Sequence, residues 1–275
     1  MERSIPLVVK VGGRETEPAG ALRDVVAFVL RAQRSGREVV VVHGGGEEVT
    51  ARATALGLPT TKVGGQRVTD AATLELAIEV LAGRVNGRIV NALTDAGIPA
   101  VGLTGVSGRL LPVKPAGDPP GSLGFVGEPT GARTRILRTL LDEGYTPVVA
   151  PIGTDHDGGV YNVNADVAAA AIASALGAEL LLITDVDAVL DATGTAIPSI
   201  RPKDVEALVH GATITGGMIP KLTSAARAVV GGAPSAWIGS VQGLGDDGPR
   251  PFAGTRILPG RAVAVPLLPG QQREV

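Results

Sequence analysis

Cysteine is absent from this chain of 275 residues. Disulfides, thiolate nucleophiles and cysteine-ligated metal centres are therefore excluded. Histidine is nearly absent, and His43, His156 and His210 are too scattered for a zinc motif. Aromatic residues make up only 2%, too few for the stacking platforms that hold single-stranded nucleic acid. A basic excess is missing as well: the formal net charge is −2, which argues against a nucleic-acid surface. No secretory leader pattern opens the chain, and no apolar run reaches the ~18 residues that a membrane-spanning helix needs. The expectation is a cytoplasmic protein with neither a membrane nor a nucleic-acid partner.

What the chain does contain is core. Hydrophobic residues are 44% and charged residues 19%, enough to fold as one large α/β domain or two lobes. The most informative stretch is Val39-Val40-Val41-Val42-His43-Gly44-Gly45-Gly46. Four consecutive β-branched residues read as a buried parallel strand. The glycines let the backbone turn sharply and approach a ligand, and the apolar-periodic stretch from about Val49 to Leu56 reads as a helix. Strand, glycine turn and helix N-terminus together form an anion site; the bland alternative is a tight turn with no ligand.

The device recurs. Leu7-Val8-Val9-Lys10-Val11-Gly12-Gly13 is another apolar strand ending in glycines, now with a lysine just before the turn. Lysine is scarce: Lys10, Lys62, Lys114, Lys203 and Lys221 are the only ones among 25 basic residues. Two glycine-rich strand ends and a lysine point to a polyphosphate held from two sides. In Thr215-Gly216-Gly217-Met218-Ile219-Pro220-Lys221, Pro220 fits only a first helical turn. Lys221 then sits near a helix N-terminus, where the macrodipole disfavours a cation by ~0.3–1 kcal/mol. Either an anion lies there or the lysine snorkels to water.

Further along, Asn162 and Asn164 of Tyr161-Asn162-Val163-Asn164-Ala165-Asp166 share a face if the stretch is extended. Asn164 suits an N-cap and Asp166 the first turn of the Ala-rich helix that follows and ends at Gly177. These three either serve a ligand or only cap and turn the chain. Arg67 could fork onto a carboxylate or pair with Asp70, itself a candidate N-cap for a long helix with the stripe Leu74, Ala77, Ile78, Leu81 and Val85. Another helix, opened by Pro18, carries Leu22, Val25, Val26, Val29 and Leu30 on one face and ends at Gly36. From Gly105 to Pro129 the composition suggests a β-hairpin excursion over the glycine turns. Elsewhere strands alternate with helices, which implies a mostly parallel sheet covered on both faces. Gly243 to Pro251 reads as a loop, and the tail after Gly260 carries no strong signal.

In this order, Lys10-Val11-Gly12-Gly13, His43-Gly44-Gly45-Gly46, Arg67-Val68-Thr69-Asp70, Gly124-Phe125-Val126-Gly127-Glu128, Asn162-Val163-Asn164-Ala165-Asp166, Asp185-Val186-Asp187-Ala188-Val189-Leu190 and Gly217-Met218-Ile219-Pro220-Lys221 resemble the amino acid kinase family and, within it, the N-acetylglutamate kinases. The resemblance covers about residues 5 to 258. It implies a three-layer αβα sandwich of the carbamate kinase-like type, a single kinase domain over 1–275 with an acceptor-binding lobe at about 1–177 and an ATP-binding lobe at about 178–275. The implied reaction is ATP-dependent phosphorylation of the side-chain carboxylate of N-acetyl-L-glutamate, the second step of the arginine route.

By the same resemblance Lys10 and Lys221 lie on the transferring phosphoryl group and Asp166 holds them. Gly45, Gly46, Arg67 and Asn162 match the acyl-amino-acid site. Gly12, Gly13, Asp185, Val186, Asp187, Ala188, Val189, Leu190, Thr213, Ile214 and Thr215 match the nucleotide site. Mg²⁺ is expected on the ATP phosphates rather than in a carboxylate cage. A homodimer through the long helix after Asp70 is expected, without arginine feedback, since the first strand starts by Ile5. The chain departs from the pattern at Glu47-Glu48, where many relatives have Gly-Pro, and at Gly216, where aspartate is frequent. The rival readings are a kinase for carrier-protein-linked aminoadipate and a non-catalytic nucleotide or amino-acid sensor on the same fold.

Overall fold

A computed structural model of the chain describes residues 4–12, 21–63, 66–211, 213–240 and 254–259. In order the elements are β1 (Leu7–Val11), α1 (Ala21–Arg34), β2 (Val39–His43), α2 (Gly46–Ala55), β3 (Lys62–Val63), β4 (Gln66–Arg67) and α3 (Ala71–Ile78). A π-helical stretch, Glu79–Val85, leads into α4 (Asn86–Asp95), then β5 (Ala100–Thr104), β6 (Val113–Pro115), β7 (Val126–Pro129), α5 (Arg135–Asp142), β8 (Thr146–Ala150), β9 (Ile152–Thr154) and β10 (Val160–Val163). The chain continues with α6 (Ala165–Leu176), β11 (Glu179–Ile183), β12 (Ser199–Ile200), α7 (Val205–His210), α8 (Met218–Val230), β13 (Ala236–Gly239) and β14 (Thr255–Ile257).

Eight strands form one sheet in the order β12-β14-β13-β11-β1-β2-β8-β5. Every neighbouring pair is parallel except β13 and β14. Strand alternation divides the core between the two faces. Val8, Val40, Val42, Leu180 and Leu182 pack with α5, α6, α7 and α8. Val9, Val11, Val41, Leu181 and Ile183 pack with α1, α2, α3 and α4. The fold is thus the expected three-layer α/β sandwich. In this sheet β1 is the turning point: the chain winds from it to β2 on one side and later returns to β11 on the other. Open α/β sheets bind ligands outside the carboxyl ends of their strands at such a point.

The Gly105–Pro129 excursion does form a hairpin, with β6 antiparallel to β7, and β7 and β10 join it to β9 in a separate four-stranded sheet. Asp70 caps α3 by accepting from the Thr73 N–H at 2.8 Å. The helix beyond differs from the even stripe expected of it. Leu76 and Val80 are buried with Ala77, Leu81 and Val85, while Leu74 and Ile78 are only partly covered, and the π-helical stretch from Glu79 changes the register into α4. Helix α2 starts earlier than its apolar positions suggest, because Gly45 and Gly46 provide its first turn without a side-chain cap. Gly13, Pro18, the Gly243–Pro251 loop and the tail after Gly260 lie outside the described residues.

Candidate active site

Lys10 stands on β1 and points with Val8 toward the layer containing α6 and α8. Asn164 accepts from the Asp166 and Val167 N–H groups at 2.8 and 3.2 Å, which starts α6 and puts Asp166 in its first turn. Asp166 Oδ1 lies 2.9 Å from Lys10 Nζ, and Oδ2 lies 3.7 Å from Lys221 Nζ at the start of α8. Lys10 and Asp166 are each only 6% exposed. Two cations share one carboxylate, so the cluster carries one unit of positive charge in excess. The surplus falls on Lys221, whose side chain is 23% exposed and meets water, and an anion arriving here would take that water's place.

The spacing between the two helices is fixed by small residues. Ser174 Oγ on α6 donates to Ala170 O at 2.9 Å and to Ala228 O of α8 at 3.1 Å. A Cβ on Gly231 would come within 2.6 Å of that hydroxyl. The close α6–α8 packing is what lets Asp166 and Lys221, in the first turns of different helices, converge.

Beside the cluster is a pocket of about 230 Å³ whose lining includes Gly44, Gly45, Gly46, Arg67, Asn162 and Asn164. Gly45 has φ 146°, a conformation that favours glycine, and a Cβ there would lie 2.7 Å from Leu81 Cδ2 and push that side chain aside. Arg67 does not pair with Asp70, whose carboxylate is committed to the α3 cap. Its Nη2 donates to Gly46 O at 3.1 Å and to the Thr50 hydroxyl, while Nη1 is buried without a partner. Burial draws the guanidinium's pKa down, yet arginine stays charged. A cation with an unused buried donor in a glycine-edged pocket is suited to a carboxylate. Glu48, one of the departures from the family pattern, turns away from the pocket and pairs with Arg84 and Arg88, both at 3.0 Å.

Gly12 directly follows β1, and Asp185 to Leu190 come one residue after β11, the neighbour of β1 in the sheet. Thr184 Oγ1 donates to Asp185 at 3.0 Å, and Ser240 Oγ donates to Asp187 at 2.5 Å. Val186 and Leu190 are exposed. Val189 is buried, with its N–H donating to Thr255 Oγ1 at 2.9 Å. Thr213, Ile214 and Thr215 precede α8, and the Ile214 side chain is buried in the core. The side chains of Val189 and Ile214 therefore support this edge from below. Gly216 has φ 58°, the left-handed conformation that aspartate also tolerates better than most residues.

Residues 6–240 match the amino acid kinase family. The chain belongs to that family. It is 46% identical over 230 residues to an acetylglutamate kinase of Rubrobacter xylanophilus, a match covering 83% of this chain and 87% of that one. Among solved structures, an N-acetylglutamate synthase from Neisseria gonorrhoeae in complex with coenzyme A and N-acetyl-glutamate superposes with a TM-score of 0.80 at 26% identity, covering 95% of this chain and 61% of that one. Carbamate kinase from Giardia lamblia bound to AMP-PNP shares the fold, with a TM-score of 0.71 at 16% identity over 94% and 99% of the two chains.

In this member of the amino acid kinase family, His43 and Asn86 carry no role that the sequence signals. His43 is fully buried and held neutral: burial pushes its pKa down to about 4, against a smaller opposing effect of its bond to Gly44. Asn86 sits at the junction of the π-helical stretch and α4, where no local sequence signal marks it. The buried neutral imidazole makes stability pH-dependent. Below its ordinary pKa of 6.5 the unfolded chain takes up a proton that the folded chain refuses until about pH 4. Stability therefore falls as pH drops through that window, by about 1 kcal/mol from roughly pH 7 to 5.5 on the linkage relation. Urea denaturation of wild type and His43→Asn at the two pH values checks this. An equal loss in the variant would show that His43 is not the source.

Proposed function

We propose that this kinase transfers the γ-phosphoryl group of ATP to the side-chain carboxylate of N-acetyl-L-glutamate, giving N-acetyl-L-glutamyl 5-phosphate and ADP. The observation that carries the reading is the Lys10–Asp166–Lys221 cluster, with its surplus positive charge, placed beside a small pocket that holds Arg67. The acetylglutamate kinase relative supports the choice of acceptor. Arg67 takes the α-carboxylate through its fork, with Asn162 and the Gly45 and Gly46 backbone completing the acyl-amino-acid site.

The acceptor carboxylate has a pKa of ~4.3 and is already a nucleophile at neutral pH. One of its oxygens forms the new bond to phosphorus while the bond to the β-phosphate oxygen breaks, and ADP leaves with that electron pair. No proton moves, which agrees with a site whose only buried histidine is neutral and hydrogen-bonded at both ring nitrogens. The barrier is the repulsion between carboxylate and phosphates. Lys10 and Lys221 face the charge that spreads over the transferring group, and glycine N–H groups add fixed donors.

Mg²⁺ would enter with the nucleotide, held mainly by its phosphates and by water, as this cation commonly is in kinase sites. Gly12, Gly13, Asp185 to Leu190 and Thr213 to Thr215 form the proposed nucleotide edge. The sheet order supports a division into an acceptor lobe at about 1–177 and a nucleotide lobe at about 178–275: β2, β5 and β8 lie on one side of β1, and β11 to β14 on the other. A homodimer through the helical rod Ala71–Asp95 is part of the same proposal, and sedimentation checks it by the mass found. No described helix is long and apolar enough to cross a membrane.

The reading is tested by ADP release in the presence of N-acetylglutamate, free glutamate or N-acetyl-aminoadipate. Turnover with N-acetylglutamate far above the others is expected. Equal rates with no acceptor, or a preference for the longer acid, would overturn it.

A further inference from the structure

His43 Nδ1 lies 2.8 Å from Gly44 O, and His43 Nε2 lies 3.1 Å from Asn86 Nδ2. The asparagine settles which nitrogen carries the proton. Its Nδ2 donates to Val148 O at 2.9 Å, a partner that can only accept. Leu103 O, at 3.5 Å, is a longer alternative for the other Nδ2 hydrogen, so the nearer Nε2 accepts it, and the proton is left on Nδ1 to be donated to Gly44 O, which can only accept.

The consequence falls on the next residue. Gly44 C=O and Gly45 N–H belong to one trans peptide and point in opposite directions. Pinning the carbonyl toward the buried ring turns the Gly45 N–H away from it, toward the pocket lined by Gly44, Gly45 and Gly46. That N–H has no backbone acceptor among the described residues, and Gly44 itself is anchored by its own N–H to Val11 O at 2.8 Å. Gly102 makes room for the arrangement, since a Cβ there would lie 2.1 Å from Asn86 Oδ1.

We infer that His43 and Asn86 are positioning residues: Asn86 fixes the Nδ1–H tautomer of His43, and His43 fixes the peptide that aims the Gly45 N–H at the reacting acceptor carboxylate. This rests on the acceptor site proposed above. It assigns a role to a histidine that performs no proton transfer and to an asparagine that touches no substrate.

Asparagine places its amide nitrogen where Nδ1 stands, and glutamine places its terminal group where Nε2 stands. His43→Asn therefore keeps the donor to Gly44 O, and His43→Gln loses it. The expected result is a turnover number at least about tenfold higher in the Asn variant than in the Gln variant, within the range known for single oxyanion donors, with the same Michaelis constant for ATP. Equal turnover numbers would overturn the inference. Two-bond proton–nitrogen NMR of the ligand-free wild type reads the tautomer directly, with the His43 signals identified by their loss in the Asn variant. If neither variant folds, the signals are identified instead by elimination, from His156→Gln and His210→Gln. A proton on Nδ1 and none on Nε2 is expected, and a proton on Nε2 would overturn the inference. Should the wild type fail to phosphorylate N-acetylglutamate, the functional reading falls, while the NMR result still decides the tautomer.

Discussion

Lys221→Ala is expected to lower the turnover number by about 10²–10³, the equivalent of ~2.7–4 kcal/mol for a contact made in the transition state, with little change in the Michaelis constant for the acceptor. Charge on the transferring group is shared between donor and acceptor oxygens only as the bond exchange proceeds, so a cation facing it acts on the transition state more than on either bound substrate. The variant is a clean test of chemistry because of how charge is balanced in the cluster. Removing Lys221 leaves Lys10 and Asp166 as a 2.9 Å pair with no excess, so the fold is not asked to bury an unmatched charge.

Asp166→Asn does the opposite. It strands two lysines around a neutral amide, and removing one partner from a buried pair costs about 3–5 kcal/mol, so turnover and stability should fall together. Because the three groups act as a unit, Lys10→Ala combined with Asp166→Asn should cost less than the sum of the single changes. Steady-state kinetics alongside thermal melting separates the two effects. A Lys221→Ala enzyme with normal turnover and a raised acceptor constant would place that lysine in binding rather than in chemistry.

The second large effect is expected at Arg67. In Arg67→Lys the charge remains, but the planar fork is lost. Only the fork can keep Nη2 on Gly46 O and Thr50 while Nη1, buried and without a partner, meets the ligand. Losing a charge-assisted hydrogen bond of ~1.5–3 kcal/mol corresponds to about 10–100-fold. That loss should appear in the Michaelis constant for the acyl amino acid and leave the constant for ATP nearly unchanged. Equal effects on both substrates would contradict the assignment.

Strands β1 and β2 and the glycine turn after β2 were legible in the sequence because apolar β-branched runs and a glycine run are local signals. The caps at Asp70 and Asn164 and the left-handed stop at Gly177 were legible for the same reason. Local pattern could not show that Arg67 would be free of Asp70, because a cap residue and an ion-pair partner look alike until the helix start is placed. Nor could it show the π-helical stretch before Asn86, where an extra residue per turn leaves no compositional trace. Asn86 and His43 meet only through that shift in register and the opening at Gly102, and both are properties of packing. The lysine cluster was legible in part. Each lysine stands out beside its glycines, but their convergence on Asp166 depends on how closely Ser174 and Gly231 let α6 and α8 approach.

In the proposed reaction a carboxylate accepts the phosphoryl group. The most direct measurement is to run the reaction with ATP and N-acetylglutamate in hydroxylamine, which converts an acyl phosphate to a hydroxamate. Hydroxamate of the acetylglutamate side chain is expected in step with the ADP released, and about 10²–10³-fold more slowly from Lys221→Ala at the same enzyme concentration. ADP released without hydroxamate would mean that water or another group takes the phosphoryl, and would contradict a carboxylate acceptor.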